Sequence, residues 1–72
     1  MNNIGGNIRL IRGIKKLTQK GLADLTGFSQ RHISRLENGQ SPINEKRLNR
    51  LAKALNVPVE KIKNLDISSF LK

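Results

Sequence analysis

The sequence predicts an all-α fold, a compact bundle of five short helices, and three observations point to it. Apolar residues recur three and four positions apart through most of the 72-residue chain. Polar capping residues ahead of these runs, and glycine or proline after them, divide the chain into short segments. With two Phe and no Trp or Tyr, the core must be built mainly from Ile, Leu, Val and Ala, which favours a small helical bundle over a sandwich.

The elements follow in order. Asn3 can cap a first helix, in which Ile4, Ile8 and Ile11 lie at helical spacing and which ends near Lys15 or Lys16. Gly13 within it lowers helix propensity by roughly 1 kcal/mol relative to Ala. Thr18 caps a second helix through its hydroxyl; Leu22 and Ala23 face inward, and Gly27 supplies the positive φ that closes it. Ser29 caps a third helix, Gln30 to Asn38, with Ile33 and Leu36 inward and Gly39 as its stop. Gln40, Ser41 and Pro42 form the longest polar connection. Asn44 caps the fourth helix, and Ile43 before it can pack on Leu48 as a hydrophobic staple; Leu48, Leu51, Ala52 and Leu55 give the buried stripe. Pro58 suits the start of a fifth helix, along which Val59, Ile62 and Leu65 recur. No internal repeat, low-complexity tract or linker interrupts this order, so residues 1–65 read as one domain and 66–72 as an apolar tail.

Fourteen Lys and Arg against five Asp and Glu give a formal charge of +9, which calls for a polyanionic partner, nucleic acid first. The excess runs the length of the chain, so composition alone does not locate a binding face. No stretch approaches the roughly 20 apolar residues of a membrane span, and residues 1–16 lack the cationic start and apolar run of a signal peptide. With no Cys and a single His, neither a disulfide nor a thiolate metal site can form. The expectation is a soluble cytoplasmic protein with no metal, cofactor or membrane association. His32 is expected to be solvated or close to a phosphate. No nucleophile or carboxylate is spaced to form a triad with it, so no enzymatic activity is expected.

Residues 19–36, QKGLADLTGFSQRHISRL, place two short helices around a glycine turn, the second opening on polar and cationic side chains. For such a helix to project its start into a major groove about 12 Å wide, it must cross its neighbour closely and at a steep angle. Ala23 is small enough for the close approach, Gly27 permits the left-handed turn, and Ile33 and Leu36 anchor the third helix. Each feature alone is common, whereas together with the Ser29 cap they are specific. Gln can bond N6 and N7 of adenine and Arg can bond O6 and N7 of guanine, each pairing discriminating by about 1–3 kcal/mol. Arg31 and Arg35, four apart, share one helical face. Gln19 opens the second helix, where free N–H groups favour a phosphate oxygen.

LTQKGLADLTGFS, followed by ISRLENG and LAKALNV, resembles the lambda-repressor-like helix-turn-helix family, also called XRE or Cro/cI, across roughly residues 4–65. The resemblance implies a five-helix bundle whose second and third helices bind double-stranded DNA. It implies that Gln30, Arg31 and Arg35 face base edges with Ser34 close by, that Gln19 and Asn38 approach phosphates with Ser29 and Gln40 beside them, and that Arg12 and Glu37 form an ion pair. Lys46, Arg47, Arg50 and Lys53 lie on several faces of the fourth helix, so most are expected to be solubilising, with some near its start able to meet the DNA backbone. Two features depart from the family pattern: Leu10 and Ile14 are apolar where charged residues commonly sit, and Ile67, Phe70 and Leu71 extend beyond the fifth helix. The expectation is that this tail covers Leu10 and Ile14, within one chain or across a dimer.

The function expected is that of a sequence-specific transcriptional regulator, a repressor acting as a homodimer on a palindromic operator, because one recognition helix reads only a few base pairs. Alternatives are an antitoxin, whose partner is a toxin protein, and a restriction-modification controller. A general RNA-binding protein is disfavoured by the scarcity of aromatic residues for base stacking.

Overall fold

The computed structural model describes residues 3–66. Among them are five α-helices and no strand: α1 (Ile4–Ile14), α2 (Gln19–Thr26), α3 (Gln30–Glu37), α4 (Glu45–Leu55) and α5 (Val59–Lys63). Four of the five begin at a polar residue whose side chain accepts from a free backbone N–H of the first turn. Asn3 accepts from Gly6, Thr18 from Gly21, Ser29 from His32 and Asn44 from Arg47, at 2.8–3.0 Å. Gly27 closes α2 at φ 81°, and Gly39 follows α3 at φ 73°, both in the region that favours glycine.

Helix ends differ in detail from the sequence expectation. α3 stops at Glu37 with Asn38 as its C-cap. Pro58 stands just before α5, extended at φ −68° and ψ 150°, and α5 makes barely more than one turn before Asn64 leaves the helical region. Leu65 is therefore not a helical residue, although it still packs on the core. Lys16 and Asn56 take positive φ, both 58°, without being glycines. Asn56 ends α4 in the left-handed conformation, and Val57 N–H donates to the Ala52 carbonyl at 3.0 Å. That asparagine is the C-terminal stop of α4, two residues ahead of Pro58.

The core is aliphatic. Ile8 and Ile11 of α1, Leu22 of α2, Ile33 and Leu36 of α3, Leu51 and Leu55 of α4, and Ile62 of α5 are all fully buried. Ile43 packs partly buried against this cluster. α1 packs on α3, α4 and α5, and α4 also on α2 and α5, with α2 against α3. Two details hold α1 in place. The Asn7 amide donates to the Ile62 carbonyl of α5 at 2.7 Å, and Gly5 lies so close to α3 that a Cβ there would come within 2.3 Å of the Leu36 carbonyl oxygen.

Leu10 and Ile14 are exposed, as is Leu25 of α2. The expected cover for Leu10 and Ile14, Ile67 with Phe70 and Leu71, lies outside the described residues. None of the described helices is long and apolar enough to cross a membrane.

Candidate nucleic-acid interface

The unit α2–turn–α3 is built from small local devices. Thr26 is buried at the end of α2, where its hydroxyl donates to the Leu22 carbonyl at 2.9 Å and accepts from Phe28 N–H at 3.2 Å. One side chain thus bridges the glycine turn. Ser29 then caps α3, which turns Ile33 and Leu36 into the core and leaves its other face in solvent. Gln30, Arg31 and Arg35 stand exposed on that outer face, with Ser34 half-buried beside them. Ser29, Asn38 and Gln40 are exposed at the two ends of α3. Asn38 reaches back toward the Ser34 hydroxyl at 3.5 Å, and Gln40 N–H donates to the Arg35 carbonyl at 2.8 Å, folding the chain after Gly39 against the helix end.

Arg12, Gln19 and Glu37 meet in one network. Arg12 Nε donates to Glu37 Oε2 at 2.6 Å and Arg12 Nη2 to Oε1 at 3.1 Å, a two-point pairing of guanidinium with carboxylate. The third donor, Arg12 Nη1, is held by the Leu17 carbonyl at 2.8 Å. Gln19 Nε2 donates to Glu37 Oε1 at 3.1 Å. The Glu37 side chain is 1% exposed and that of Arg12 15%, so the carboxylate of α3 is shared between α1 and α2 in a nearly dry site. The phosphate role expected of Gln19 does not include this bond to Glu37. Its amide carries a second N–H, which remains for an outward acceptor.

Sequence reasoning missed a second cluster. The Phe28 and His32 rings meet edge to face with centroids 5.0 Å apart, and the Arg50 guanidinium sits 5.2 Å above the Phe28 ring. His32 Nε2 lies 3.5 Å from Ser41 Oγ, and Arg47 Nη1 donates to the Pro42 carbonyl at 2.9 Å. Phe28, Asn44, Lys46, Arg47 and Arg50 line one cleft, so the cations at the start of α4 adjoin the start of α3. Periodicity gives no hint of this, because it rests on a contact between Phe28, in the turn before α3, and Arg50 of α4. Among the described residues no cluster of His, Asp and Glu could hold a metal ion.

Against known proteins, a family model described as helix-turn-helix matches residues 8–62. The chain is 38% identical over 61 residues to the HTH-type transcriptional repressor RghR of Bacillus subtilis, an alignment covering 83% of this chain and 45% of that protein. It is 40% identical over 60 residues to the competence pilus inhibition repressor of Acinetobacter baylyi, covering 83% and 54%. The chain therefore spans about half the length of the curated relatives it matches. Its fold is similar to the solution structure of the DNA-binding domain of the P22 c2 repressor, with a TM-score of 0.81 and 31% identity over 89% of this chain and 88% of that one.

Proposed function

The chain belongs to the lambda-repressor-like helix-turn-helix family, and on that premise we propose that it is a sequence-specific transcriptional repressor of the cytoplasm, binding double-stranded DNA through α3 as a homodimer. The observation that carries this reading is the division of α3 into two faces: Ile33 and Leu36 are sealed in the core, while Gln30, Arg31 and Arg35 stand in solvent. A helix anchored in this way presents its polar tips at fixed spacing, as reading base edges in the major groove requires.

The roles divide by chemistry. Arg31 and Arg35 bond guanine through O6 and N7, Gln30 bonds adenine through N6 and N7, and Ser34 accepts or donates beside them. Gln19, Ser29, Asn38 and Gln40 bond phosphate oxygens and set the register without reading sequence. The Arg12–Glu37 pair, with Gln19, holds α3 at a constant angle to α1 and α2. A repressor's role is supported by the two bacterial relatives named as repressors. The dimer is supported by the small reach of one recognition helix, which makes two half-sites about 34 Å apart the usual route to adequate specificity.

Selection of bound sites from random duplexes, followed by titrations at one fixed salt concentration, tests the proposal. Arg31→Ala is expected to relax preference at one base position per half-site, and Gln19→Ala to weaken all duplexes alike. Uniform loss from both variants would overturn the assignment of roles, and failure of the wild type to enrich any sequence would overturn the function.

A further inference from the structure

The outward face of α1 carries apolar side chains that no other described residue buries. Leu10 is 52% exposed and Ile14 40%, one turn apart on the helix surface and beside the buried stripe of Ile8 and Ile11. Gly13 sits in the same stretch, in regular helix, where a Cβ would meet nothing within 4 Å. Neither a close approach within the described residues nor a positive φ requires glycine there, although it weakens the helix by about 1 kcal/mol relative to Ala. With Gly6, Arg9 and, at its edge toward α3, Arg12, these residues line an open depression. A glycine at such a point lets a second helix come to the near end of the usual interaxial range, about 8–10 Å.

Charge decides what fits. Arg9, Lys15 and Lys16 are exposed around the patch and have no ionic partner among the described residues. No acid occurs between Ile4 and Ala23. A second copy docked face to face would set these three cations against their own equivalents, in a chain already carrying +9. DNA is bound elsewhere on the proposed reading, because α3 packs along the Gly5 and Arg12 flank of α1, whereas Asn7 and α5 lie along the other. We propose that this face of α1 docks an amphipathic helix of a partner protein, apolar along one stripe and bordered by Glu or Asp, and does so while α3 holds DNA.

The probe is a synthetic helix-forming peptide of about 20 residues, long enough to be partly helical alone, with Leu and Ala on one face and Glu along its borders. Its controls are a scrambled peptide of the same composition and a version with Lys in place of Glu. Added to the full chain, the patterned acidic peptide is expected to bind about tenfold tighter than either control, a free-energy difference of about 1.4 kcal/mol. Amide shifts should centre on residues 10–16. Gly13→Leu, which fills the depression and favours helix, and Leu10→Ser should each lower affinity by about tenfold, with Arg31→Ala neutral. The proposal is overturned by absence of binding, by equal binding of the scrambled peptide, or by shifts centred on α3. Self-association that Gly13→Leu abolishes would assign the face to a second copy. Binding seen only after deletion of residues 67–72 would assign it to the chain's own tail.

Discussion

A side chain at position 5 would have to occupy the space of a carbonyl oxygen. The Cβ of an alanine there would lie 2.3 Å from the Leu36 oxygen and 3.0 Å from that of Glu37, both on backbone that cannot swing aside. Gly5→Ala is therefore expected to push α1 off α3 and to lower stability by about 1–3 kcal/mol, seen as a lower urea midpoint at unchanged slope. Gly13→Ala, in open space, should do the reverse, adding about 1 kcal/mol and raising the melting temperature by about 4–8 °C for a domain of this size. If both alanines acted alike, the contrast drawn between the two glycines would fail. The sequence alone revealed only half of this contrast. The propensity loss at Gly13 belongs to the helix and is visible from residue type, whereas the demand at Gly5 is made by a carbonyl more than thirty positions away. The same distinction separates Arg31 and Arg35, whose shared face follows from their spacing, from Gln19, whose bond to Glu37 depends on how α2 and α3 cross.

At the scale of the element, α3 has eight residues, too few to persist alone in water, where isolated helices shorter than about 12–15 residues are marginal. It exists because Ser29 caps one end and because Ile33 and Leu36 are buried. Ser29→Ala is expected to lose about 1 kcal/mol and to speed hydrogen exchange at the His32 amide, the cap's partner. Fraying that turn also loosens Gln30 and Arg31, so affinity should fall while the preferred sequence stays the same; a changed preference would mean that Ser29 reads a base. All four side-chain caps and the two positive-φ glycines were legible beforehand, since each satisfies a local rule of backbone chemistry. The ends of α4 and α5 were not. Asn56 in the left-handed conformation obeys a local rule that is weaker for Asn than for Gly, whereas the early stop at Asn64, beyond which Leu65 packs on the core, follows from no local rule.

For the whole molecule, the dimensions, 32 × 24 × 18 Å, suit two copies side by side on one face of DNA, one helical turn of about 34 Å apart. Inserting about five base pairs between half-sites should then turn the copies to opposite faces and greatly weaken binding, and inserting about ten should recover part of it. Equal affinity for all spacings would disprove paired binding. Attraction to the duplex comes from the excess of cations, so log affinity should fall linearly with log salt. One acid stands close to that attraction: Glu37 follows Arg35 by only two positions, where an open carboxylate would push an incoming duplex away. Folding turns it inward and cancels its charge against Arg12 at 2.6 Å. From the solvent side the neutralised pair is nearly silent, and the recognition helix meets a polyanion as though it had no negative end.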